Sequence, residues 1–391
     1  MKTTTLFITS ILLCLKLSAQ QNVAQSNLED ILTPQNKLAL GGYAQIDYNQ
    51  TLNPNEINNG ILDIHRVVLL LKYKFNARLN FLTEVEYEHV KQVYIEQAYL
   101  NYKLNNKLNF RAGLILIPMG IINEIHEPPT FNGVERPNLD KFIIPTSWRE
   151  IGIGVNGRFN NASLKYQAYL VNGFLGYDEG IPKLGGELGL RNGRQKGAQS
   201  KISNPNFTGK IEYFGVKNLK IGIAAYKGKT QSSLYENLDR SNDILVKQAD
   251  SSVVNVSMIA LDLRYQVRGI QFKGQYNYTK IDNTLAYNQF TGSDLAESMN
   301  GFYSEISYNF LEKTKIESKL IGFVRYENYD THEKVNKLLI KNKNYDKSEW
   351  IFGVGWKLTD EVVLKTDLQY IKSKEQQEWD KQLNLGIGLM F

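Results

Sequence analysis

From residue 38 to the end of the chain, apolar and polar side chains alternate in segments of about ten to fourteen residues, with the two-residue period of a β-strand. The last segment is the clearest. Leu383, Leu385, Ile387, Leu389 and Phe391 share one face, and Gln382, Asn384, Gly386 and Gly388 share the other. The same rhythm carries Leu108, Phe110, Ala112 and Leu114; Ile151, Ile153 and Val155; Ile259, Leu261 and Leu263; and Trp350, Phe352 and Val354. Their polar faces hold mid-strand glycines and charges such as Arg111, Arg158, Asp262 and Arg264. A dry core does not tolerate that face, whereas a wet lumen does.

The connections separate a sandwich from a barrel. Short turns fall at Asn76-Ala77, Asn105-Asn106, Asn160-Asn161, Lys217-Asn218, Arg268-Gly269, Glu312-Lys313 and Thr359-Asp360. Between them lie mostly longer polar connections near 50–60, 89–92, 118–145, 174–203, 230–252, 282–299, 328–346 and 374–379. Alternating short turns and long loops are the signature of a transmembrane antiparallel β-barrel. The spacing predicts an all-β fold of about 16 strands. Both termini are expected on the periplasmic side, with a first strand of about Leu38 to Asn49 pairing with the strand that ends at Phe391. Tyr94–Lys103 changes phase, which points to a bulge.

Composition fits a barrel better than a helical membrane protein. The mean hydropathy is −0.35. Beyond the first twenty residues no apolar run approaches the roughly 18–20 residues of a spanning helix. The 23 Tyr and 17 Phe suit aromatic girdles. Residues 1–19 read as a signal peptide, with Lys2, an apolar stretch from Leu6 to Leu17 and Ser18-Ala19 before the cut; residues 20–37 read as a periplasmic N-terminal stretch, and 38–391 as the barrel. Cys14, the only cysteine, lies in the leader, so no disulfide is expected. Without the leader the chain carries 44 basic and 40 acidic residues, too mild a balance for a nucleic-acid partner.

A barrel of this size leaves an aqueous channel. Its inward-facing basic candidates are Arg66, Lys72, Arg111, Arg158, Lys165, Lys210, Arg264, Lys273, Arg325 and Lys365. The acidic ones are Glu84, Glu86, Glu88, Glu150, Glu212, Asp262, Glu305 and Asp367, with Glu84, Glu86 and Glu88 forming a stripe. Such charges either select solutes or pair across strands and keep the lumen wet. The third long connection, Pro118 to Pro145, combines stiffening prolines, apolar residues such as Ile121, Phe131 and Ile144, and charges including Arg136 and Lys141. It reads as a loop folded inward to constrict the channel; a lid or a trimer contact is the alternative.

Several motifs recur in order: Asp63-Ile64-His65-Arg66-Val67-Val68-Leu69, Ala98-Tyr99-Leu100-Asn101-Tyr102, Leu108-Asn109-Phe110-Arg111-Ala112-Gly113, Ile117-Pro118-Met119-Gly120, Trp148-Arg149-Glu150-Ile151-Gly152-Ile153 and Tyr169-Leu170-Val171-Asn172-Gly173. Together they resemble the phosphate-selective porin O and P family, best over about residues 60–175. The resemblance implies a 16-stranded homotrimeric channel in the outer membrane of a Gram-negative bacterium. It also implies passage of small hydrophilic solutes, anions such as phosphate among them, past Arg66, Arg111, Arg136, Lys141 and Arg158. The chain departs from the family in lacking a dense ladder of facing arginines. The terminal Phe391 resembles the signal read by the outer-membrane assembly machinery.

No catalytic constellation emerges, so neither an enzyme nor a cofactor is expected. His65, His89, His126 and His332 are scattered, with no metal-ligand spacing. The stretch Gly185 to Gly197, with Arg191, Arg194 and Lys196, lacks the GK[ST] ending of a phosphate loop and reads as a mobile basic outer loop. The alternative functions are an importer of hydrophobic or oligosaccharide substrates and a non-conducting structural barrel.

Overall fold

The computed structural model describes residues 37–52, 55 and 57–391. The leader, and all of the 20–37 stretch but Lys37, lie outside the described residues. Sixteen antiparallel strands close into one barrel. In chain order they are β1 (Leu38–Thr51), β2 (Ile61–Lys74), β3 (Leu79–Glu88), β4 (Gln92–Lys103), β5 (Asn109–Leu116), β6 (Arg149–Phe159), β7 (Leu164–Val171) and β8 (Asn206–Tyr213). Then follow β9 (Leu219–Lys229), β10 (Asn255–Val267), β11 (Ile270–Asp282), β12 (Ser298–Asn309), β13 (Lys319–Lys334), β14 (Asp346–Lys357), β15 (Val362–Ser373) and β16 (Asp380–Met390).

The alternation explains the wall. Ile151, Ile153, Ile259, Leu261, Phe352, Val354, Leu385 and Ile387 are exposed, while Glu150, Asp262, Arg264, Arg325 and Asn384 are buried. The apolar face points outward, the arrangement a hydrocarbon surround requires.

Closure runs through β1 and β16, which pair from Tyr43↔Met390 to Thr51↔Gln382. Gly42 and Phe391 extend the seam by exchanging two backbone hydrogen bonds of 2.9 Å. The Phe391 ring seats over Gly42, where a Cβ would run into the Val68 carbonyl oxygen and lie 2.8 Å from the ring's Cζ, so only glycine fits.

Tight turns occupy one end of the barrel. Arg268 and Gly269 have φ of 46° and 78°, as a two-residue hairpin demands. Long loops occupy the other end, and several of them carry regular structure, among them 117–148 with the short helix Leu139–Phe142. Loop 172–205 contributes strands Leu175–Asp178 and Ile181–Pro182, which join Gln231–Ser232 of loop 230–254 in a small separate sheet. Helices Asp243–Ser251 and Thr284–Thr291 cap loops 230–254 and 283–297.

Three register shifts interrupt the barrel ladder among the described residues: one between β12 and β13 at Ser298/Asn300, and two near the cavity-forming wall. Opposite Glu84 and Val85 of β3, β4 skips from Gln97 to Ile95, so Glu96 is the extra residue. Glu96 and Gln97 are consequently both buried on the inner face. On β2 the register jumps from Gln45↔Arg66 to Asp47↔Asp63, which turns His65 and Arg66 to the same side. The bulge expected in Tyr94–Lys103 is therefore present, and the one in β2 has no counterpart in the sequence reading.

Candidate functional site

Loop 117–148 is apolar at its base and polar along its course. Ile117, Met119, Ile121, Leu139, Ile143, Ile144 and Trp148 are almost fully buried. Trp148 stacks on Phe174 at 4.5 Å and sits 4.8 Å from Tyr226. Asn123 ties the two ends of the loop together. Its Nδ2 donates to the carbonyls of Ile117 (2.7 Å) and Trp148 (2.9 Å), and its Oδ1 accepts from the Trp148 amide at 2.7 Å.

Further along, the loop meets strands that stand across the ring from β5 and β6. The Ile121 amide donates to Gln275, the Val134 amide to Asp367 and the Leu139 amide to Glu327, at 2.6, 2.7 and 3.0 Å. Asn138 donates to Glu349, and Lys365 donates to the carbonyls of Phe131 and Gly133 at 2.7 and 2.8 Å. Each of these strand partners is buried, on the face opposite the exposed apolar residues.

Beside this loop opens a cavity of about 630 Å³ lined by eight cationic and five acidic side chains. The wall contributes Arg66, Arg149 and Lys347; loop 117–148 contributes Arg136 and Lys141; loop 172–205 contributes Arg191, Arg194 and Lys196. The carboxylates are Glu86, Glu88, Glu96, Glu135 and Asp140. Burial pushes the Asp140 carboxyl up to about 7, which reduces its negative charge near neutrality.

The two sources of cations differ electrostatically. The wall guanidiniums are compensated: Arg66 lies 3.4 Å from Glu86 and Arg149 lies 2.5 Å from Glu96, the carboxylate supplied by the β4 bulge. The loop guanidiniums are held by neutral oxygens. Arg191 donates to the carbonyls of Lys141 (3.2 Å) and Thr146 (2.7 Å). Arg194 donates to those of Pro145 and Ser147, both at 2.9 Å, and Arg136 to that of His126 at 3.1 Å. Carbonyls orient a guanidinium without cancelling its charge, so these three arginines bring positive charge to the loop side of the cavity, beside Glu135 and Asp140.

The sequence-read site residues divide accordingly. Arg66, Glu86, Glu88, Arg136 and Lys141 come together at this cavity. Arg111 lies instead over the Tyr99 ring at 4.1 Å, and Arg158 over Phe214 at 3.9 Å; neither lines the cavity. Glu84 shares the buried face of Glu86 but accepts from Tyr43 (3.0 Å) and Gln97 (2.7 Å) below it. Most other inward charges pair across strands. Lys210 joins Asp262 and Glu124 at 3.1 and 2.8 Å, Arg264 bonds Glu212, and Arg325 joins Glu327 and Glu305 at 2.8 and 3.4 Å.

The basic stretch around Arg191 is not the free outer loop expected from the sequence. Leu184 and Leu190 are buried and anchor it, and its arginines grip loop 117–148. Three leucines, Leu184, Leu188 and Leu190, in an otherwise polar glycine-rich run were the available signal. Nor do the histidines stay scattered: the β2 bulge brings His65 to within 5.2 Å of His89, ring to ring.

Comparison with known proteins agrees with this architecture. The family model for phosphate-selective porin O and P matches residues 37–390. An uncharacterized protein of Aquifex aeolicus (strain VF5) is 32% identical over 372 residues, covering 90% of this chain and 80% of that protein. Among solved structures, the outer membrane channel DcaP of Acinetobacter baumannii superposes with a TM-score of 0.60 at 11% identity, covering 96% of this chain and all of that one. The anion-selective porin from Comamonas acidovorans gives 0.54 at 12% identity, covering 90% and 99%. The trimer form of OmpT from Vibrio cholerae gives 0.54 at 9% identity, with the same coverage. The chain belongs to the phosphate-selective porin O and P family and is an outer-membrane channel.

Proposed function

We propose that this channel passes small hydrophilic anions, phosphate among them, through a constriction formed where loop 117–148 folds across the lumen. In this reading the long loops face outward and both termini face the periplasm. The carrying observation is the set of loop guanidiniums, Arg136, Arg191 and Arg194, held by carbonyl oxygens rather than carboxylates. Each keeps a full charge toward the cavity, and a planar guanidinium matches phosphate oxygens in pairs. Glu86 and Glu96 are already matched to Arg66 and Arg149 and offer little attraction to a cation. Anion selectivity in the Comamonas acidovorans porin and a trimer in OmpT are consistent with the same properties here. Reversal potential in a KCl gradient across a planar bilayer, with phosphate as competitor, tests the reading. Chloride preference that phosphate suppresses supports it, and cation preference refutes it. A barrel that conducts nothing until a hydrophobic or oligosaccharide substrate is added would instead favour a plugged importer.

A further inference from the structure

We propose that Asp63, His65 and His89 form a divalent transition-metal site at the long-loop rim of the channel. One ligand atom from each of the three lies within 4.8 Å of the others. His65 Nδ1 is 3.8 Å from Asp63 Oδ2 and 3.7 Å from Asp47 Oδ2, and His89 Nδ1 contacts Asp63 Oδ2 directly. A tetrahedral zinc ion, with bonds of about 2.0–2.1 Å, sets its ligands about 3.3 Å apart, so closing these gaps needs only small side-chain movements. Two imidazoles and a carboxylate are a donor set suited to Zn²⁺, Ni²⁺ or Cu²⁺ rather than Ca²⁺ or Mg²⁺.

Three further features converge on the cluster. The β2 bulge is what turns His65 inward beside Arg66; without it the ring would not face His89. The connection 89–91 holds His89 and Val90 at φ of 52° and 59°, left-handed conformations that a β-branched residue rarely adopts. There the His89 amide donates to the His65 carbonyl at 3.1 Å, locking the two rings together. Finally, Asp47 and Asp63 are register partners on adjacent strands. Like charges placed opposite each other repel, and a bound dication between them removes that repulsion. Asp47 is buried, and its Oδ2, held by the Gln45 amide at 2.7 Å, approaches the same His65 Nδ1 and so adds negative charge on the ligand side of that ring. Of the cations that line the same cavity, Arg66, the sequence neighbour of His65, is matched to Glu86. His65 and His89 also line the cavity, so the remaining coordination position faces the solute path.

The test uses the refolded full-length barrel in detergent, with any affinity tag removed and metal stripped by chelator. Zinc is titrated by calorimetry into the wild type and into His65→Asn and His89→Asn. Heat-modifiable migration verifies that each barrel is closed. One zinc ion per chain in the wild type, weakened about 10- to 100-fold or more in either variant, is the expected result. Absence of zinc binding in the wild type, or equal affinity in the variants, overturns the proposal. Cobalt provides a measurement free of any substitution. The wild type should bind Co²⁺ with intense d–d absorption that zinc abolishes, and a spectrum indistinguishable from free aqueous cobalt overturns the site. Neither readout involves ion selectivity, so the metal site and the anion channel stand or fall separately.

Discussion

Replacing Lys365 by methionine should loosen the tip of loop 117–148 while leaving the barrel closed. The ammonium donates to the carbonyls of Phe131 and Gly133 at 2.7 and 2.8 Å and sits 3.8 Å from the Phe131 ring. Charge-assisted hydrogen bonds contribute about 1.5–3 kcal/mol each, and a desolvated cation–π contact about 2 kcal/mol. The desolvation cost of the buried ammonium offsets roughly the cation–π contact, leaving about 3 kcal/mol at the low end for the two hydrogen bonds. At 1.4 kcal/mol per decade, that shifts the tip's docked-to-undocked ratio by about two orders of magnitude. Methionine preserves length and apolar contact, and the β14–β15 and β15–β16 ladders are untouched, so the barrel's thermal unfolding should not move with it. Unitary conductance in planar bilayers reads the effect. The variant should show higher or noisier single-channel current than the wild type, with Phe131–Val134 newly open to limited proteolysis. Identical conductance, noise and cleavage would refute the reasoning, because the loop would then either not narrow the path or not depend on this anchor.

Arg194→Gln removes an uncompensated charge while retaining hydrogen-bonding capacity, so chloride preference should fall; an unchanged reversal potential would exclude Arg194 from the selectivity surface. Burial and the neighbouring guanidiniums hold Lys141 and Lys196 below the ordinary lysine value. Both lose their charge as pH rises, so anion preference should decline at a lower pH than a free lysine of pKa ~10.4 would give. The double variant Lys141→Arg, Lys196→Arg should show a smaller alkaline decline than the wild type, with the remainder due to Arg194 and Arg136, which burial and neighbouring guanidiniums push down to about 9 and about 10. Phe391→Ala keeps the backbone exchange with Gly42 but strips the ring that covers the seam, so the yield of heat-modifiable barrel should drop while conductance per assembled channel stays the same.

Strand number, turn positions and the seam at Phe391 were legible because each rests on local information: period, turn chemistry and chain end. The pairing of lumen charges was not. Lys210 finds Asp262 from two strands away, and Lys365 finds carbonyls more than 230 positions distant. Such partners depend on register and on where a loop docks, which no periodicity encodes. Arg111 and Arg158 show the consequence. Their inward phase is correct, yet each guanidinium is spent on an aromatic ring away from the cavity.

The bulges occupy a middle ground, and their trace in the sequence is specific. On β2 the outward apolar residues run Leu62, Ile64, then Val67, Leu69; on β4 they run Val93, Ile95, then Leu100, with Ala98 in phase with it. In both strands the two-residue rhythm contains one step of three. A step of three in a lipid-facing row means that one extra residue has been turned inward, since a polar side chain on the lipid face is disfavoured, the more so toward the midplane. On β2 the extra residue brings His65 beside Arg66, and on β4 it brings Glu96 beside Gln97. The lipid constraint that makes the wall monotonous therefore also marks where it departs from monotony. In this barrel those departures supply His65 to the candidate metal cluster and Glu96 to the carboxylate that neutralises Arg149, both at the edge of the same cavity.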